Sequence, residues 1–513
     1  MRTRSTRRSF LRIAVGTAAT ADWLAGAHLP RVSVAEAAVS TGVAGSLTTN
    51  RADDVEPLVR LIEGTPREKL VEEVVRRIRH GTSYREIVAA LMLAGVRNIQ
   101  PRPNVGFKFH AVLVVNSAHL ASLSSPDEHR WLPILWAIDY FKDAQAQNVR
   151  EGNWSLPAVD ESRIPPAHQA RAMFVEAMDR WDEAKADVAV AALARSASSA
   201  ELFELFCRYG ARDYRSIGHK AIFVANAWRT LHCVGWQYAE PVLRSLTYAL
   251  LNHNGEANPA DNDFTADRPF RENLRRLARF RADWASGTND AGATSELLDV
   301  LHGCSASDAS EFVVDLIGRG VAVQSIWDAL LLQAAESLRR QPGIIGIHTL
   351  TTANALRYAY GAASSEATRQ LLLLQAAAFT PMFHDSMRGR GDIADTRIRD
   401  LKADSSLPDS EPAALEQIFS NVDGDRERAA QMTLAYAERQ PDPVAFMRLA
   451  RVLVFLKGRD SHDYKFSSAV LEDFHHLSPN WRPRFLAASV YNLRGSSADD
   501  NPLVQRVRQA WQA

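Results

Sequence analysis

The chain has few cysteines, no excess of charge of either sign and no long apolar run. Its 513 residues include three cysteines, and 60 basic side chains balance 60 acidic ones. Cys207, Cys233 and Cys304 are odd in number and irregularly spaced, which excludes a disulfide framework and the usual zinc and iron–sulfur patterns but leaves one disulfide open. Without a basic face, no nucleic-acid partner is expected. No apolar run approaches the roughly 20 residues that span a bilayer, so stable membrane insertion is not expected.

The motifs of several enzyme classes are also absent. The sequence contains no GxSxG nucleophile elbow, no GxxxxGK[ST] phosphate loop, no HExxH zinc motif and no CxxCH haem-attachment motif. These absences exclude the corresponding hydrolases, nucleotide-binding proteins, metalloproteases and c-type cytochromes. A haem held without covalent attachment leaves no local signature of this kind, so it remains open.

The first 37 residues resemble a twin-arginine export signal. The run TRRSFLR, which starts at Thr6, matches the expected pattern except for Arg12 in the place of lysine. A weakly apolar stretch follows, and Ala35-Glu36-Ala37 has the small-x-small pattern of a cleavage site. The resemblance implies that the twin-arginine translocase carries the folded protein to a periplasmic or secreted location. Because this route serves many proteins that receive a cofactor before export, a bound metal or prosthetic group is expected.

Behind the signal, the sequence is almost entirely helical in pattern. Residues 38–56 are rich in Ser, Thr, Gly and Asp, which predicts a flexible linker. From residue 57 onward apolar residues recur at helical spacing, and alternating strand patterns are scarce. We therefore predict an all-α fold, a multi-helical bundle with a repeat-built core over residues 57–400 and a C-terminal helical segment over residues 401–513.

An internal repeat underlies the helical pattern. The segment GTSYREIVAALMLA from Gly81 matches GVAVQSIWDALLLQ from Gly320, and each leads into a helix that carries a histidine and, six residues later, an asparagine. A third and shorter match has a histidine and an asparagine seven positions apart. The three pairs are His110–Asn116, His219–Asn226 and His348–Asn354. This pattern indicates two or three copies of one helical unit.

The repeated histidines are candidate metal ligands. One regular helix can aim at most one or two of these polar groups at a shared centre, so three helices must converge to form a site. Neutral imidazoles bind iron, zinc or copper, and the paired asparagines are expected to orient them or a cofactor. His253 and His384, which follow two of the repeated histidines by 34 and 36 residues, are expected as further ligands or proton carriers. Histidines that are merely hydrogen-bonded in a duplicated core remain the alternative.

Two further segments carry candidate catalytic groups. In residues 216–253, Glu240 follows His232 and Trp236 at four-residue steps, so it lies either on a salt-bridged surface or on a pocket wall as a ligand or base. Arg229 and Arg357 each follow a repeat asparagine by three residues and are candidates for holding an anionic substrate or a haem propionate. The segment LKGRDSHDYKF at 456–466 reads as a flexible loop, in which His462 and Lys465 either supply an acid or base or simply face solvent.

The helix that begins HTLTTANALRYA at His348 resembles a segment of the questin oxidase-like family. His348, Thr351 and Arg357 match the family's helical His-x-(Val/Leu)-Thr motif, which is followed by small residues and an arginine, and the resemblance covers about a quarter of the chain. In fungal members the family is associated with oxygen insertion into an anthraquinone ring, a Baeyer–Villiger-type cleavage that uses NADPH. The resemblance implies an all-α oxidoreductase.

Together these features predict an exported all-α oxidoreductase or oxygenase that acts on a small molecule at a histidine-lined centre. The expected cofactor is a metal ion, iron first, or a non-covalent haem. A periplasmic helical-repeat binding or scaffold protein without catalysis is the main alternative. A metal-free hydrolase or lyase that uses His462, Lys465 and Glu240 is a further one.

Overall fold

The computed structural model describes residues 55–101 and 108–513, and within these ranges the chain is all helical. These described ranges contain 22 α-helices and no strand, with a single isolated bridge between Thr288 and Val321. The predicted all-α class is therefore confirmed. The export signal, and the linker up to residue 54, lie outside the described residues.

The first eleven helices cover the chain up to residue 276. They are α1 Glu56–Gly64, α2 Arg67–Arg79, α3 Tyr84–Asn98, α4 His110–Ser124, α5 Leu132–Arg150, α6 Ala167–Arg180, α7 Glu183–Ser196, α8 Ser199–Gly210, α9 His219–Val234, α10 Ala239–Leu250 and α11 Arg268–Arg276.

The remaining eleven helices complete the fold. They are α12 Ala291–Leu301, α13 Ala306–Gly318, α14 Val323–Arg340, α15 Ile344–Ala362, α16 Glu366–Arg388, α17 Glu411–Asn421, α18 Arg426–Arg439, α19 Val444–Lys457, α20 Ser461–His476, α21 Arg482–Ser489 and α22 Pro502–Gln512. No helix in the described ranges combines the length and the apolar character that crossing a bilayer requires.

Four helices form a closed ring in the middle of the molecule. Helix α4 packs against α9, α9 against α15, α15 against α20, and α20 back against α4. All four are buried on nearly every side, as expected for helices that are apolar around their whole circumference. Each carries a histidine within its first five residues, and these residues meet at one end of the ring. The four helices therefore run parallel to one another.

Two local predictions are wrong. The segment at 456–466 is not a loop throughout, because α20 begins at Ser461 after an Asp460 side chain that accepts a hydrogen bond from the His462 backbone N–H. This places the segment's His462 and Lys465 on a buried helix. The regular four-residue ladder from His232 is also broken, because α9 ends before Gly235, whose φ is 115°.

The C-terminal segment contributes directly to the central ring, since α20 contacts both α4 and α15. Residues 401–513 therefore pack on the same core as the rest of the described chain. No disulfide joins the three cysteines, all of which lie in the described residues, so the one disulfide that the sequence left open does not form; Cys207 and Cys233 are buried and Cys304 is partly buried.

Candidate metal centre

The three repeat histidines meet at one point. His110 and His219 are the first residues of α4 and α9, and His348 lies one turn into α15. The Nε2 atom of His219 is 3.1 Å from Nε2 of His110 and 3.1 Å from Nε2 of His348. Ligand nitrogens about 2.0–2.1 Å from a tetrahedral metal ion lie about 3.3 Å from one another, so this spacing fits one shared ion. Within the described residues, these histidines are the one group of three or more His, Cys, Asp or Glu arranged to hold a metal.

The backbone fixes the tautomer of two of these rings. Nδ1 of His219 is 2.5 Å from the carbonyl oxygen of Ser216, and Nδ1 of His348 is 2.6 Å from that of Ile344. A carbonyl oxygen only accepts, so each Nδ1 carries the proton and donates it. In the neutral rings the two Nε2 atoms are therefore bare acceptors that face each other across 3.1 Å.

Protonation of one of the two rings would turn this contact into a hydrogen bond, but it is unfavourable here. His219 and His348 are at most 1% exposed, and burial, helped by the nearby Lys465 amine, lowers the pKa of both rings well below the usual value. The N-termini of α4, α9, α15 and α20 all lie at this end of the ring, and their partial positive charges further disfavour an imidazolium. Neutral imidazoles are the form that binds metals.

Lys465, on α20, contacts the group of three histidines. Its Nζ atom lies 3.2 Å from Nε2 of His348 and 3.4 Å from Nε2 of His110. The side chain is 2% exposed, and burial lowers the pKa of its amine to about 7 although the Asp460 carboxylate acts in the opposite direction. The amine can donate a hydrogen bond to the bare Nε2 of His348, but the bare Nε2 atoms of His219 and His348 still face each other at 3.1 Å.

A fourth imidazole stands beside the three. The ring centroid of His462 is 4.8 Å from that of His110 and 5.1 Å from that of His348. Its Nδ1 is 3.3 Å from a carboxylate oxygen of Asp460, whereas its Nε2 is buried and has no hydrogen-bond partner among the described residues. His462 is therefore available as a further ligand or as an acid–base group.

The repeat asparagines do not orient the histidines, which corrects that expectation. They lie about two turns further along their helices, beside a small polar cavity that Asn116, Asn226 and Asn354 line together. Asn226 donates to the carbonyl oxygen of Leu113, and Asn354 donates to carboxylates on α20. Six or seven helical residues carry the amide groups too far along the axis to reach the imidazoles.

The two candidate arginines are both committed to protein partners. Arg229 forms a two-pronged ion pair with Glu472 at 2.7 and 2.8 Å and stacks 4.0 Å above the Tyr358 ring. Arg357 lies over the Trp327 and Tyr360 rings, 5.6 and 5.5 Å from their centroids. Neither arginine is thus in place to hold a haem propionate at the histidines.

The remaining candidates also lie elsewhere. Glu240 pairs with Arg195 at a part-exposed site, so it is not a group of this centre. His253 packs edge-on against Trp181, and His384 lies 3.1 Å from the hydroxyl of Ser337. The expectation that His253 and His384 join the ligands is corrected, because both follow or end helices outside the central ring.

Two parts of the site could not be predicted from the sequence. The carbonyl groups of Ser216 and Ile344 give no side-chain signal, since any residue supplies a carbonyl. Glu472, the partner of Arg229, stands four residues before the end of α20 and could be found only by recognising 461–476 as a helix of the central ring.

Comparison of the chain with protein-family models, with curated proteins and with solved structures finds no match.

Proposed function

We propose that this protein is an exported all-α metalloenzyme of the oxidoreductase or oxygenase class, with a metal ion held by His110, His219 and His348. The proposal includes passage through the twin-arginine translocase, a periplasmic or secreted location and a small-molecule substrate. It is supported by the geometry of the buried histidines, by the export pattern and by the resemblance to the questin oxidase-like family.

The observation that carries the proposal is the contact between two unprotonated nitrogens. Nε2 of His219 and Nε2 of His348 face each other at 3.1 Å while both Nδ1 protons are bound to backbone carbonyls. Two lone pairs at this distance in a buried site repel each other, unless a cation lies between them. A metal ion between the two nitrogens would remove this repulsion by accepting both lone pairs, with His110 as the third ligand.

The ligand set favours a bare ion over haem. Haem takes one or two axial ligands from opposite faces of a large flat ring, whereas here three ligand nitrogens lie within 4.8 Å of one another. Imidazole ligands suit iron, copper and zinc, and three protein ligands leave coordination positions open for substrate, as in catalytic sites. A metal bound there would supply electron exchange or polarisation of a substrate oxygen.

The protein groups beside the histidines supply the other chemistry. The Lys465 amine, within 3.4 Å of two ligand nitrogens, is placed to donate to or accept a proton from a molecule in an open coordination position. The His462 ring, oriented by Asp460, provides a second proton carrier or a fourth ligand.

The test is elemental analysis and absorption spectroscopy of the exported protein, purified without a histidine tag. We expect about one metal ion per chain, lost in H110Q, H219Q and H348Q variants. The H253Q and H384Q variants are matched controls, because these histidines lie outside the group of three, and they should retain the metal. Circular dichroism on every variant separates metal loss from unfolding.

The outcomes distinguish the alternatives. Stoichiometric iron or copper supports the oxidoreductase, whereas stoichiometric zinc would move the proposal to hydrolytic or hydration chemistry at the same three ligands. A folded wild-type protein that binds none of these metals after incubation with each would contradict the centre and favour the scaffold protein.

A further inference from the structure

A small polar cavity lies directly behind the histidines, inside the ring of α4, α9, α15 and α20. Its volume is about 10 Å³, room for roughly one water molecule. The polar groups that surround it include Asn116, Asn226, Asn354, Thr351 and Ser468. These side chains are at most 7% exposed, and the Thr351 hydroxyl has no hydrogen-bond partner among the described residues. Such a lining suits a small polar guest that accepts hydrogen bonds.

The inner end of this cavity is Lys465, which also belongs to the histidine group. Lys465 lines the cavity, while its amine lies 3.2 Å from Nε2 of His348 and 3.4 Å from Nε2 of His110. Lys465 is therefore the side chain that the cavity and the histidine group share. A movement of this side chain would let a molecule in the cavity reach the histidines.

An ion pair lies at the outer end of the cavity. Arg229 and Glu472 both line the cavity, and their side chains are 10% and 31% exposed, so this pair lies between the cavity and solvent. Arg229 also bonds to the side-chain oxygens of Asn354 at 3.2 Å and Asn226 at 3.4 Å. If the Glu472 carboxylate swings outward, the cavity opens, and the arginine stays in place over Tyr358.

The charge around the centre favours an anion as the guest. Three neutral imidazoles leave the full charge of a bound divalent ion uncompensated, and four helix N-termini add positive potential at the same end. Along the cavity, Lys465 and Arg229 are the two basic groups, and Glu472 is the one carboxylate that lines it. Movement of Glu472 would leave Arg229 without its pairing carboxylate at the outer end of the cavity, which favours an anionic guest.

We propose that the cavity between Glu472 and Lys465 is the route by which a small anion reaches the metal centre, with the Arg229–Glu472 pair as its gate. The inference depends on the proposed metal centre. It names the class of ligand that the open coordination position takes, a small anion that accepts hydrogen bonds, and the face from which the ligand arrives.

The test measures the rate at which azide binds to the full-length mature protein loaded with its own metal or with Co²⁺, followed by stopped-flow absorption. The S468L variant narrows the cavity, and S245L is its matched control. Ser245 is likewise buried, but it lines a separate apolar cavity beside Met92 and Phe223. The E472Q variant keeps the size of the gate residue and removes its charge.

We expect S468L to slow azide binding about tenfold, because the guest must displace the added side chain. S245L should bind azide at the wild-type rate, and E472Q should bind it several-fold faster because the pairing charge is gone. All variants should hold the same amount of metal. If S468L does not fold, S468V with S245V gives the same comparison with a smaller side chain.

Metal-loaded S468L or S468V that binds azide as fast as wild type would overturn the route, and unchanged kinetics in E472Q would overturn the gate. A metal-loaded wild type that does not bind azide would also overturn the inference while leaving the centre intact. Failure of the proposed function would look different, because neither the wild type nor any variant would then hold metal.

Discussion

At the scale of the residue, two backbone carbonyls decide the chemistry of the centre. The carbonyl oxygens of Ser216 and Ile344 accept hydrogen bonds from Nδ1–H of His219 and His348. The unprotonated Nε2 atoms of both rings therefore face the centre. The groups that accept a hydrogen bond from a metal-binding imidazole are usually carboxylates or carbonyls, and a carbonyl adds no charge of its own. The metal would therefore keep its full positive charge, which strengthens its attraction for anionic ligands.

A buried histidine away from the centre predicts a stability that depends on pH. His384 is 3% exposed, and burial lowers its pKa to about 4, against a usual value of 6.5. Between these values only the unfolded chain takes up the proton, so the free energy of unfolding falls as the pH drops from about 6.5 to about 4. The expected loss is about 3 kcal/mol, measured by urea unfolding of the metal-free protein.

The H384Q variant should lose most of this contribution, so its unfolding free energy should vary less over the same pH range. H168Q is the matched control, because His168 is exposed on α6, and it should retain the wild-type slope. Equal slopes in wild type and H384Q would contradict the prediction.

The sequence identified several residues of the centre but not their chemistry. The spacing of histidine and asparagine in the repeated pattern selected His110, His219 and His348, which the structure brings together. The same pattern also selected His253 and His384, because spacing along a chain does not show which helix faces which. Lys465 was selected because it lies in the same short polar segment as His462. Its contact with two imidazoles depends on packing between residues more than 100 positions apart.

At the scale of the element, a left-handed turn sets the position of α9. Ser216, Ile217 and Gly218 have φ values of 56°, 49° and 76°, and a β-branched residue such as Ile217 seldom adopts this conformation. The strain is maintained by buried neighbours, including the ion pair between Lys220 and Asp213 at 2.8 Å. This turn places the Ser216 carbonyl against the His219 ring.

Replacement of Gly218 by alanine tests the coupling between this turn and the metal. A Cβ at Gly218 would lie 2.4 Å from the Thr352 hydroxyl oxygen, so the turn must shift. We expect G218A to lower metal affinity about tenfold or more, in addition to an unfolding cost above the 1–2 kcal/mol of the backbone conformation alone. Metal titration and denaturant unfolding measure the two effects.

G81A is the control for backbone strain. Gly81 also has a positive φ, 99°, but a Cβ there would meet no atom within 4 Å. This variant should cost about 1–2 kcal/mol and leave metal affinity unchanged. A G218A protein that binds metal as tightly as G81A would show that the turn does not position the ligand.

The presence of the helices was easier to predict from the sequence than the residues at which they begin and end. The apolar periodicity that gives α3 and α14 is local, so the sequence contains it. The start of α20 was missed because Asp460, Ser461 and His462 look like a polar loop, whereas Asp460 caps a helix that packs against α4 and α15. Gly235 breaks the expected ladder because its φ of 115° suits no helical residue.

At the scale of the whole molecule, the metal would link the helices of the central ring. Its three ligands come from α4, α9 and α15, which are far apart in sequence, and the unfolded chain offers no such preformed group. Metal binding is therefore coupled to the global stability of the fold.

The metal-loaded protein should unfold at a higher temperature than the metal-free one. Free metal at about 100 times its dissociation constant should add about 2.7 kcal/mol, and a chelator should remove this gain. Thermal unfolding with and without metal measures it, and the H348Q variant, which lacks one ligand, should show a much smaller shift. An identical melting temperature for loaded and metal-free wild type would contradict the coupling.

The ring also sets the order of events during synthesis. His110 and Lys465 are 355 positions apart, and both contribute to the same point in the folded molecule. A nascent chain that has not yet released α20 from the ribosome lacks the fourth wall of the ring, together with His462 and Lys465. All four helices could enclose a metal only after residues 461–476 have been synthesised.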